Sequence, residues 1–182
     1  MIFLLRVMNI EGVSPCNFAR LEPLFLGRRE PIWLVLQLEQ GVITRVRLSM
    51  ERPEGQESRP RYAKLFEDIL LGKDLQETGI DFQIQGTAFQ KRLWAETCRI
   101  PSGSLISYKE LASRISCRSA RAVGQALRKN PLPIIIPCHR VIGSDGKLTG
   151  FSCGLEIKKI LIEFERQTGG SRYEDRNIQR QP

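Results

Sequence analysis

The sequence predicts a mixed α/β (α+β) fold with a small N-terminal α/β domain at residues 1–80, a C-terminal helical domain at 81–168 and a flexible tail at 169–182. Two stretches rich in Val, Ile and Leu come early, and apolar residues recur at helical spacing later in the chain. With 41% hydrophobic and 26% charged residues, the composition is that of a globular protein. No apolar run approaches the ~20 residues of a membrane span, so no membrane partner is expected.

The N-terminal domain is predicted to contain an antiparallel hairpin and one helix. Residues 32–39 and 42–50 are strand-like and flank Gln40-Gly41, which suits a tight turn. The polar stretch 51–61 contains two prolines and a glycine and is expected to be a loop. Apolar residues at helical spacing then stop at Gly72, which is typical of a helix C-terminus.

The C-terminal domain is predicted to begin with two capped helices. Thr87 and Gln90 match a capping box, which starts a helix at 88–98. Ser107 and Glu110 repeat the pattern and start a second helix. Both helices are therefore specified by their own first turns.

A third helix would complete a winged-helix-like helix-turn-helix. It follows a turn at 116–118 and runs to about Asn130, with Arg118, Arg121, Gln125 and Arg128 on its polar face. Small residues, namely Ala120, Ala122 and Gly124, make this helix thin, although Gly costs about 1 kcal/mol against Ala in a helix. A thin helix can approach another backbone closely, and that neighbour is either DNA or a second helix of a structural hairpin.

The excess positive charge lies in the C-terminal domain. The chain has a net charge of +8, yet residues 1–80 carry 11 basic and 11 acidic side chains, whereas 81–168 carry 14 and 7. Between residues 99 and 129, seven basic side chains are accompanied by one acidic residue, Glu110. Such a field attracts a polyanion, most commonly nucleic acid, although a solvated basic face has the same composition.

A candidate nucleophile lies beside the only histidine of the chain. The apolar stretch 131–137 begins and ends with proline, and it is expected to be a strand that delivers Cys138-His139-Arg140. The two basic neighbours can favour the thiolate, and a buried structural cysteine is the alternative. The other cysteines, Cys16, Cys98, Cys117 and Cys153, are expected to be plain thiols. No Cys-x-x-Cys pattern occurs, so no metal site is expected.

A family signature surrounds the candidate nucleophile. The stretch IIIPCHRVIGSDGKLTGF resembles the active-site motif of the O6-alkylguanine-DNA alkyltransferases, or methylated-DNA–protein-cysteine methyltransferases. The similarity also includes GTAFQKRLW, IPSGSLISYKELA, ARAVGQALRKNP and GLEIKKILIEFE, in order from Gly86 to Glu165. It implies DNA repair by an irreversible, single-turnover transfer of an alkyl group, usually methyl, from O6-alkylguanine to Cys138. O4-alkylthymine is a further candidate substrate, and no cofactor is implied.

The resemblance also implies a role for five residues near the reacting atoms. Cys138 would be the nucleophile, His139 a base acting through a water molecule, and Glu165 the residue that holds the histidine. Asn130 would stabilise the turn that carries the cysteine. Tyr108 would donate a proton to the leaving guanine and touch a DNA phosphate.

Double-stranded DNA is the partner that the resemblance implies, bound through its minor groove by a monomer. Arg121 would enter the duplex in place of the flipped nucleotide, because O6 inside a stacked base pair is out of reach of a protein nucleophile. The remaining DNA-binding positions would be Ala120, Ala122, Gly124, Gln125, Arg128 and Arg118. The substrate pocket would be formed by Val141, Phe151, Ser152 and Arg140.

Two positions depart from the family pattern. Phe151 stands where tyrosine is usual, and Cys153 where Gly or Trp is common, so the tolerance for bulky alkyl groups stays open.

Cys138 favours a transferase over a non-enzymatic helix-turn-helix protein that binds alkylated DNA, because such relatives lack this cysteine. A Cys-His hydrolase is a weaker alternative, since no oxyanion loop accompanies the cysteine. The expected location is the cytoplasm, or the nucleus in a eukaryote, because no secretory signal pattern is found.

Overall fold

A computed structural model describes residues 18–24, 26–54, 56–57, 61–79 and 81–168. Cys16 and the tail at 169–182 therefore lie outside the described residues. The N-terminal sheet contains β1 (Phe18–Leu24), β2 (Ile32–Glu39), β3 (Val42–Ser49) and β4 (Gln56–Glu57), in the order β3-β2-β1-β4. The short strand β4 lies in the stretch that was expected to be a loop, and it pairs in parallel with β1.

The predicted antiparallel hairpin is confirmed and is formed by β2 and β3. Gln40 and Gly41, which connect the strands, have φ values of 52° and 82°. Positive φ at both central residues is the geometry of a type I′ turn, whose twist matches that of paired strands. Alternate residues of β2 are buried, namely Ile32, Leu34, Leu36 and Leu38.

Two helices follow the sheet, α1 (Arg61–Leu70) and α2 (Leu75–Thr78). The first ends as the sequence predicts, because Gly72 has φ 91° and its N–H donates to the carbonyl of Ile69 at 3.1 Å. Lys73 N–H donates to the carbonyl of Asp68 at 2.9 Å. This pair of bonds is a Schellman motif, in which glycine adopts the left-handed conformation.

The C-terminal part contains α3 (Ala88–Thr97), α4 (Tyr108–Arg114), α5 (Ala120–Arg128) and α6 (Leu155–Thr168). Both bonds of the predicted capping box are present, from Gln90 N to Thr87 Oγ1 at 3.2 Å and from Thr87 N to Gln90 Oε1 at 2.9 Å. Ser107 caps α4 by accepting from Glu110 N, but the Glu110 carboxylate accepts from Arg114 at 2.7 Å. The helices α4 and α5 pack against each other as a helix-turn-helix.

The expected strand at 131–137 is wrong, since this stretch is a compact, largely buried turn. Ile134 has φ 75°, and the chain reverses so that Pro133 and Ile136 form a bridge. Prolines have no N–H to donate, so they cannot continue a sheet ladder. A 3₁₀-helix (Cys138–Arg140) follows the turn directly. The strand β6 (Val141–Ile142) comes next and pairs in parallel with β5 (Ile106–Ser107).

The two predicted domains share one hydrophobic core. Leu36 of β2, Phe66 of α1 and Trp94 of α3 belong to the same buried cluster. Val46 N–H of β3 donates to the carbonyl of Pro131 at 2.8 Å, which joins the hairpin to the turn before the cysteine. Packing is therefore continuous across the predicted boundary, and the division into domains stays a prediction. Within the described ranges, no helix is long and apolar enough to cross a membrane.

Candidate active site and nucleic-acid interface

Cys138 lies at the end of a turn that is held together by Asn130. The Asn130 amide donates to the carbonyl of Ile136 at 2.9 Å and to Cys138 Sγ at 3.0 Å. Its own oxygen accepts from Leu132 N–H at 2.9 Å, so one side chain bonds both ends of the turn. Burial raises the pKa of the Cys138 thiol to about 11, against the effect of the Asn130 hydrogen bond. The thiol is therefore protonated in the free protein at neutral pH.

His139 and Glu165 form a buried pair next to this cysteine. Nε2 of His139 lies 2.9 Å from Oε1 of Glu165. Burial lowers the pKa of His139 below 6.5, although Glu165 acts to raise it, so the imidazole is neutral at pH 7. Because an ionised carboxylate accepts from Nε2–H, the other ring nitrogen, Nδ1, is left as a proton acceptor. Nδ1 is buried and has no hydrogen-bond partner among the described residues.

Glu165 accepts hydrogen bonds from two residues in addition to the histidine. Arg140 donates from Nη2 at 2.7 Å and from Nε at 3.0 Å, and Gly103 N–H donates at 3.1 Å. Burial alone would raise the pKa of Glu165, but His139 and Arg140 outweigh burial and lower it to about 2. The carboxylate is thus ionised at neutral pH and can stabilise a protonated imidazole.

Arg140, which is expected in the substrate pocket and as support of the thiolate, contacts Glu165 in the structure. Its guanidinium is buried against Glu165, and Nη1 donates to the carbonyl of Ile100 at 2.6 Å. A buried carboxylate requires a buried counter-charge, and Arg140 supplies it. Its charge is therefore matched inside the protein, where it holds the carboxylate in place.

Lys158 is a candidate that sequence reasoning missed. Its side chain is 0% exposed, and Nζ donates to the carbonyls of Val141 at 2.5 Å and Thr149 at 2.6 Å. Nζ also lies 5.7 Å from the centroid of the Tyr108 ring. Burial lowers the pKa of Lys158 to about 8, and its positive charge acts to lower the pKa of Cys138. A lysine at an apolar position of an amphipathic helix is the sequence signal that could have identified it.

The loop after β6 closes over Tyr108. Its hydroxyl lies 3.0 Å from the carbonyl oxygens of Thr149 and Gly150, to which it can donate. Gly150 has φ 58°, and a Cβ there would lie 2.8 Å from the hydroxyl oxygen, so only glycine fits. Phe151 is half-buried and Ser152 is exposed at the end of this loop. The hydroxyl of Tyr108 therefore donates its proton to a loop carbonyl, whereas the resemblance implies that it donates to the leaving guanine.

The outer face of α5 is exposed and positively charged. Ala120, Arg121, Gln125 and Arg128 are exposed, as is Arg118 in the preceding turn. None of these three arginines forms an ion pair with another described residue. The hydroxyl of Ser119 accepts from Ala122 N–H at 3.1 Å and caps the helix. The opposite face of the helix is buried, so α5 presents one basic surface to its surroundings.

Gly124 faces the neighbouring helix in this structure. A Cβ at this position would lie 3.8 Å from Cε1 of Tyr108, which is ordinary van der Waals contact. A thin helix can approach either DNA or a second helix, and at Gly124 the neighbour is the helix α4. Its assignment to the DNA surface stays a prediction.

Comparison with known proteins identifies relatives of this chain. The family model described as 6-O-methylguanine DNA methyltransferase, DNA binding domain, matches residues 88–167. The methylated-DNA–protein-cysteine methyltransferase of Methanosarcina barkeri is 49% identical over 104 residues, which are 57% of this chain and 65% of that protein. The chain spans between about half and just under two thirds of the length of the curated relatives that it matches.

Solved structures match over a larger share of the chain. Mycobacterium tuberculosis OGT in complex with DNA is 31% identical, with 82% of this chain and 94% of that chain covered and a TM-score of 0.64. The O6-methylguanine-DNA methyltransferase of Pyrococcus kodakaraensis is 25% identical, with coverage of 81% and 99% and a TM-score of 0.68. On these similarities and the shared fold, the chain belongs to the O6-methylguanine-DNA methyltransferase family.

Proposed function

We propose that this protein repairs alkylated DNA by direct reversal, transferring the alkyl group from O6 of guanine to Sγ of Cys138. One observation carries the proposal: a buried thiol held by Asn130 is followed by a neutral His139 that is paired with an ionised Glu165. A thiolate is a soft nucleophile suited to an alkyl carbon, and a histidine–carboxylate pair can take the proton from the thiol to produce it. Family membership and the DNA-bound structure of the mycobacterial relative support the same substrate.

The proposed reaction balances within these residues and the substrate. The Cys138 proton moves through a water molecule to Nδ1 of His139, and Glu165 stabilises the resulting imidazolium. The thiolate then attacks the alkyl carbon, so that an S–C bond forms while the C–O6 bond breaks. Guanine leaves with the bonding electron pair and takes up one proton, and the imidazolium of His139 gives back the proton that it accepted, so that no net proton is gained or lost. The thioether is not hydrolysed, and each protein molecule therefore reacts once.

The high pKa of the thiol makes its ionisation a costly step of this reaction. With a pKa of about 11, few Cys138 side chains are ionised at pH 7 without a base. Lys158 supplies a positive charge close to the cysteine, and the electrostatic stabilisation of a buried thiolate grows in a low dielectric. Tyr108 can assist the leaving guanine once its hydroxyl donates a hydrogen bond to the base instead of to a loop carbonyl.

The basic face of α5 is the proposed contact with the minor groove. Arg121 fills the space of the flipped nucleotide, since unstacking costs a few kcal/mol and needs a substitute partner. Ala120 and Ala122 keep the helix close to the groove. The other polar positions of this face, Arg118, Gln125 and Arg128, contact the backbone and add affinity without sequence preference. Val141, Phe151 and Ser152 line the base pocket in this proposal.

The test is intact-protein mass spectrometry after incubation with a duplex that contains O6-methylguanine. We expect a gain of one methyl group per protein, saturating at one equivalent and mapping to Cys138. Cys138→Ser removes the nucleophile and should give no adduct while duplex binding survives. Cys98→Ser, which changes a thiol that has no part in the proposed reaction, is the matched control and should react like the wild type. Repeated turnover, or an adduct on the Cys138→Ser protein, would overturn the proposal.

A further inference from the structure

A basic cleft separates the β-hairpin from the end of α5. It has a volume of about 420 Å³ and is lined by Arg45 and Arg47 of β3 and by Arg128 and Lys129 at the end of α5. We call these four residues the cleft cations. Three of them, all except Arg128, belong to no surface assigned to DNA above.

A β-bulge turns the two hairpin arginines outward. Pairing with β2 passes from Ile43 directly to Arg45, which leaves Thr44 as an extra residue in β3. After the bulge the alternation starts anew, so Val46 is buried while Arg45 and Arg47 are exposed. Without the extra residue, Arg45 would share the side of Ile43, which is fully buried. The outward direction of both arginines is therefore built into the strand.

Main-chain hydrogen bonds join the hairpin to the C-terminal part and fix the position of the two walls of the cleft. Val46 N–H donates to the carbonyl of Pro131 at 2.8 Å on one side of the cleft. Ile43 N–H donates to the carbonyl of Asp81, and Ile43 accepts from Gln83 N–H, both at 2.9 Å. The two arginines of β3 are thus at a fixed position relative to α5.

The charge of the cleft is not compensated within the described part of the chain. None of the cleft cations forms an ion pair with another described residue. Glu39 is the one carboxylate among the described residues that line the cleft. Four cations and one carboxylate in a concave site produce a local field that attracts a polyanion.

The cleft continues the basic face of α5. Arg128 belongs to both, and it lies seven residues after Arg121, or about 10 Å along the helix at 1.5 Å per residue. Ser152 and Cys153, at the end of the pocket loop, also line the cleft. At 3.4 Å per nucleotide step, an offset of about 10 Å corresponds to roughly three steps along a DNA strand.

From these observations we infer that the cleft binds the phosphate backbone of the DNA strand that flanks the damaged nucleotide. The β-hairpin of the N-terminal half is then part of the DNA-binding surface, and the cleft cations add affinity without reading bases. This inference rests on the proposed function, because the position of the strand follows from a damaged base at Cys138.

The test compares two double variants that remove the same charge. Arg45→Gln/Arg47→Gln changes the cleft, whereas Lys64→Gln/Lys73→Gln removes two exposed lysines that pair with Asp68 and do not line it. For a lesion-containing duplex of about 16 base pairs near 0.15 M salt, we expect binding about tenfold weaker for the cleft variant only. Each lost phosphate contact should also reduce the slope of log K against log salt by about 0.9.

Two further measurements separate this inference from the proposed function. Both variants should react with free O6-benzylguanine as the wild type does, since neither touches the buried centre. Shortening the duplex beside the lesion on the cleft side should abolish the advantage of the wild type over the cleft variant, whereas shortening the other side should preserve it. Absence of methyl transfer by the wild type would overturn the proposed function itself.

Several outcomes would overturn the inference alone while wild-type transfer is intact. One is unchanged duplex affinity of the Arg45→Gln/Arg47→Gln protein. Another is equal weakening by the lysine pair, which would indicate a general effect of net charge. An advantage that persists on both shortened duplexes would indicate a long-range field rather than contact. A changed oligomeric state with unchanged duplex affinity would assign the cleft to a second copy of this chain.

Discussion

The buried centre around Cys138 and the exposed face of α5 use charge in opposite ways. Arg140, Lys158 and Glu165 are at most 6% exposed, and each is bonded to partners that are themselves part of the fold. Arg121 and Arg128 are exposed and have no ion pair with another described residue. Removing one charge from the centre leaves its partner buried and unpaired, which is costly. Removing one from α5 should cost little stability and should affect DNA affinity.

Glu165→Gln is expected to give the largest effect. It keeps the shape of the side chain but leaves Arg140 without its counter-charge, which should destabilise the fold by about 3–5 kcal/mol. It should also slow methyl transfer, by up to the factor of about 10² to 10⁴ that a general base contributes, because His139 loses the carboxylate that stabilises its protonated form. Urea unfolding and single-turnover kinetics measure the two effects. The matched control, Glu163→Gln, changes an exposed residue of the same helix and should stay within about 0.5 kcal/mol of the wild type.

The pH dependence of stability gives this prediction a second readout. The pKa of Glu165 is lowered from 4.5 to about 2, so its contribution is present above pH 4.5 and is lost as the pH falls towards 2. The pKa of His139 is lowered from 6.5, so the unfolded chain takes up a proton first and stability declines below pH 6.5. Glu165→Gln should flatten the lower part of this curve. If Glu165→Gln showed the wild-type dependence of stability on pH and the wild-type rate of transfer, the buried centre would not differ from the exposed face of α5 in its use of charge.

Arg121→Ala tests the exposed region. We expect transfer on duplex DNA to slow by about 10- to 100-fold, because the flipped state loses a stabilisation of a few kcal/mol. Free O6-benzylguanine needs no flipping and should show a smaller loss, and the free energy of unfolding should stay close to that of the wild type. Arg114→Ala, an exposed arginine of α4, serves as the control. An equal loss on both substrates would contradict a role in flipping.

Lys158→Met sharpens the comparison from the buried side. Losing a neighbouring positive charge should raise the thiol pKa further, and a shift of one unit corresponds to about tenfold slower transfer at pH 7. Since the pKa of Lys158 is about 8, the ratio of wild-type to variant rates should fall as the pH rises from 7 to 9.5. A constant ratio would mean that Lys158 acts only by bonding the carbonyls of Val141 and Thr149. The control is Lys159→Met, which changes an exposed neighbour.

Gly124→Ala is expected to have the smallest effect. The new methyl group meets the Tyr108 ring at ordinary contact distance, so the helix should gain up to about 1 kcal/mol of stability. Duplex transfer should stay within about twofold of the wild type, because this position faces α4. Ala122→Gly is the matched opposite change and should lower the melting temperature. A clear loss of duplex affinity in Gly124→Ala would place this residue against DNA after all.

The elements predicted correctly are those that short-range chemistry specifies. Gly41 predicts the turn of the hairpin because glycine adopts positive φ more readily than other residues. Thr87 with Gln90 predicts the start of α3 because the cap is made within one helical turn. The stretch 131–137 was predicted wrongly for the complementary reason. Its composition favours a strand, but its prolines cannot pair in a sheet, and the Asn130 side chain bonds the turn that forms instead.

By itself, the sequence determined the helix-turn-helix, the basic surface of α5 and the motif around Cys138, because each lies in a continuous stretch of residues. Only the tertiary structure decided how the buried charges are matched. The family resemblance already implies that Glu165 holds His139, and the tertiary structure adds Arg140 as a second partner of this carboxylate. It also buries Lys158, whose positive charge acts to lower the pKa of the Cys138 thiol. Such pairings depend on which distant residues are buried together, since a buried charge is tolerated only where the fold provides its partner.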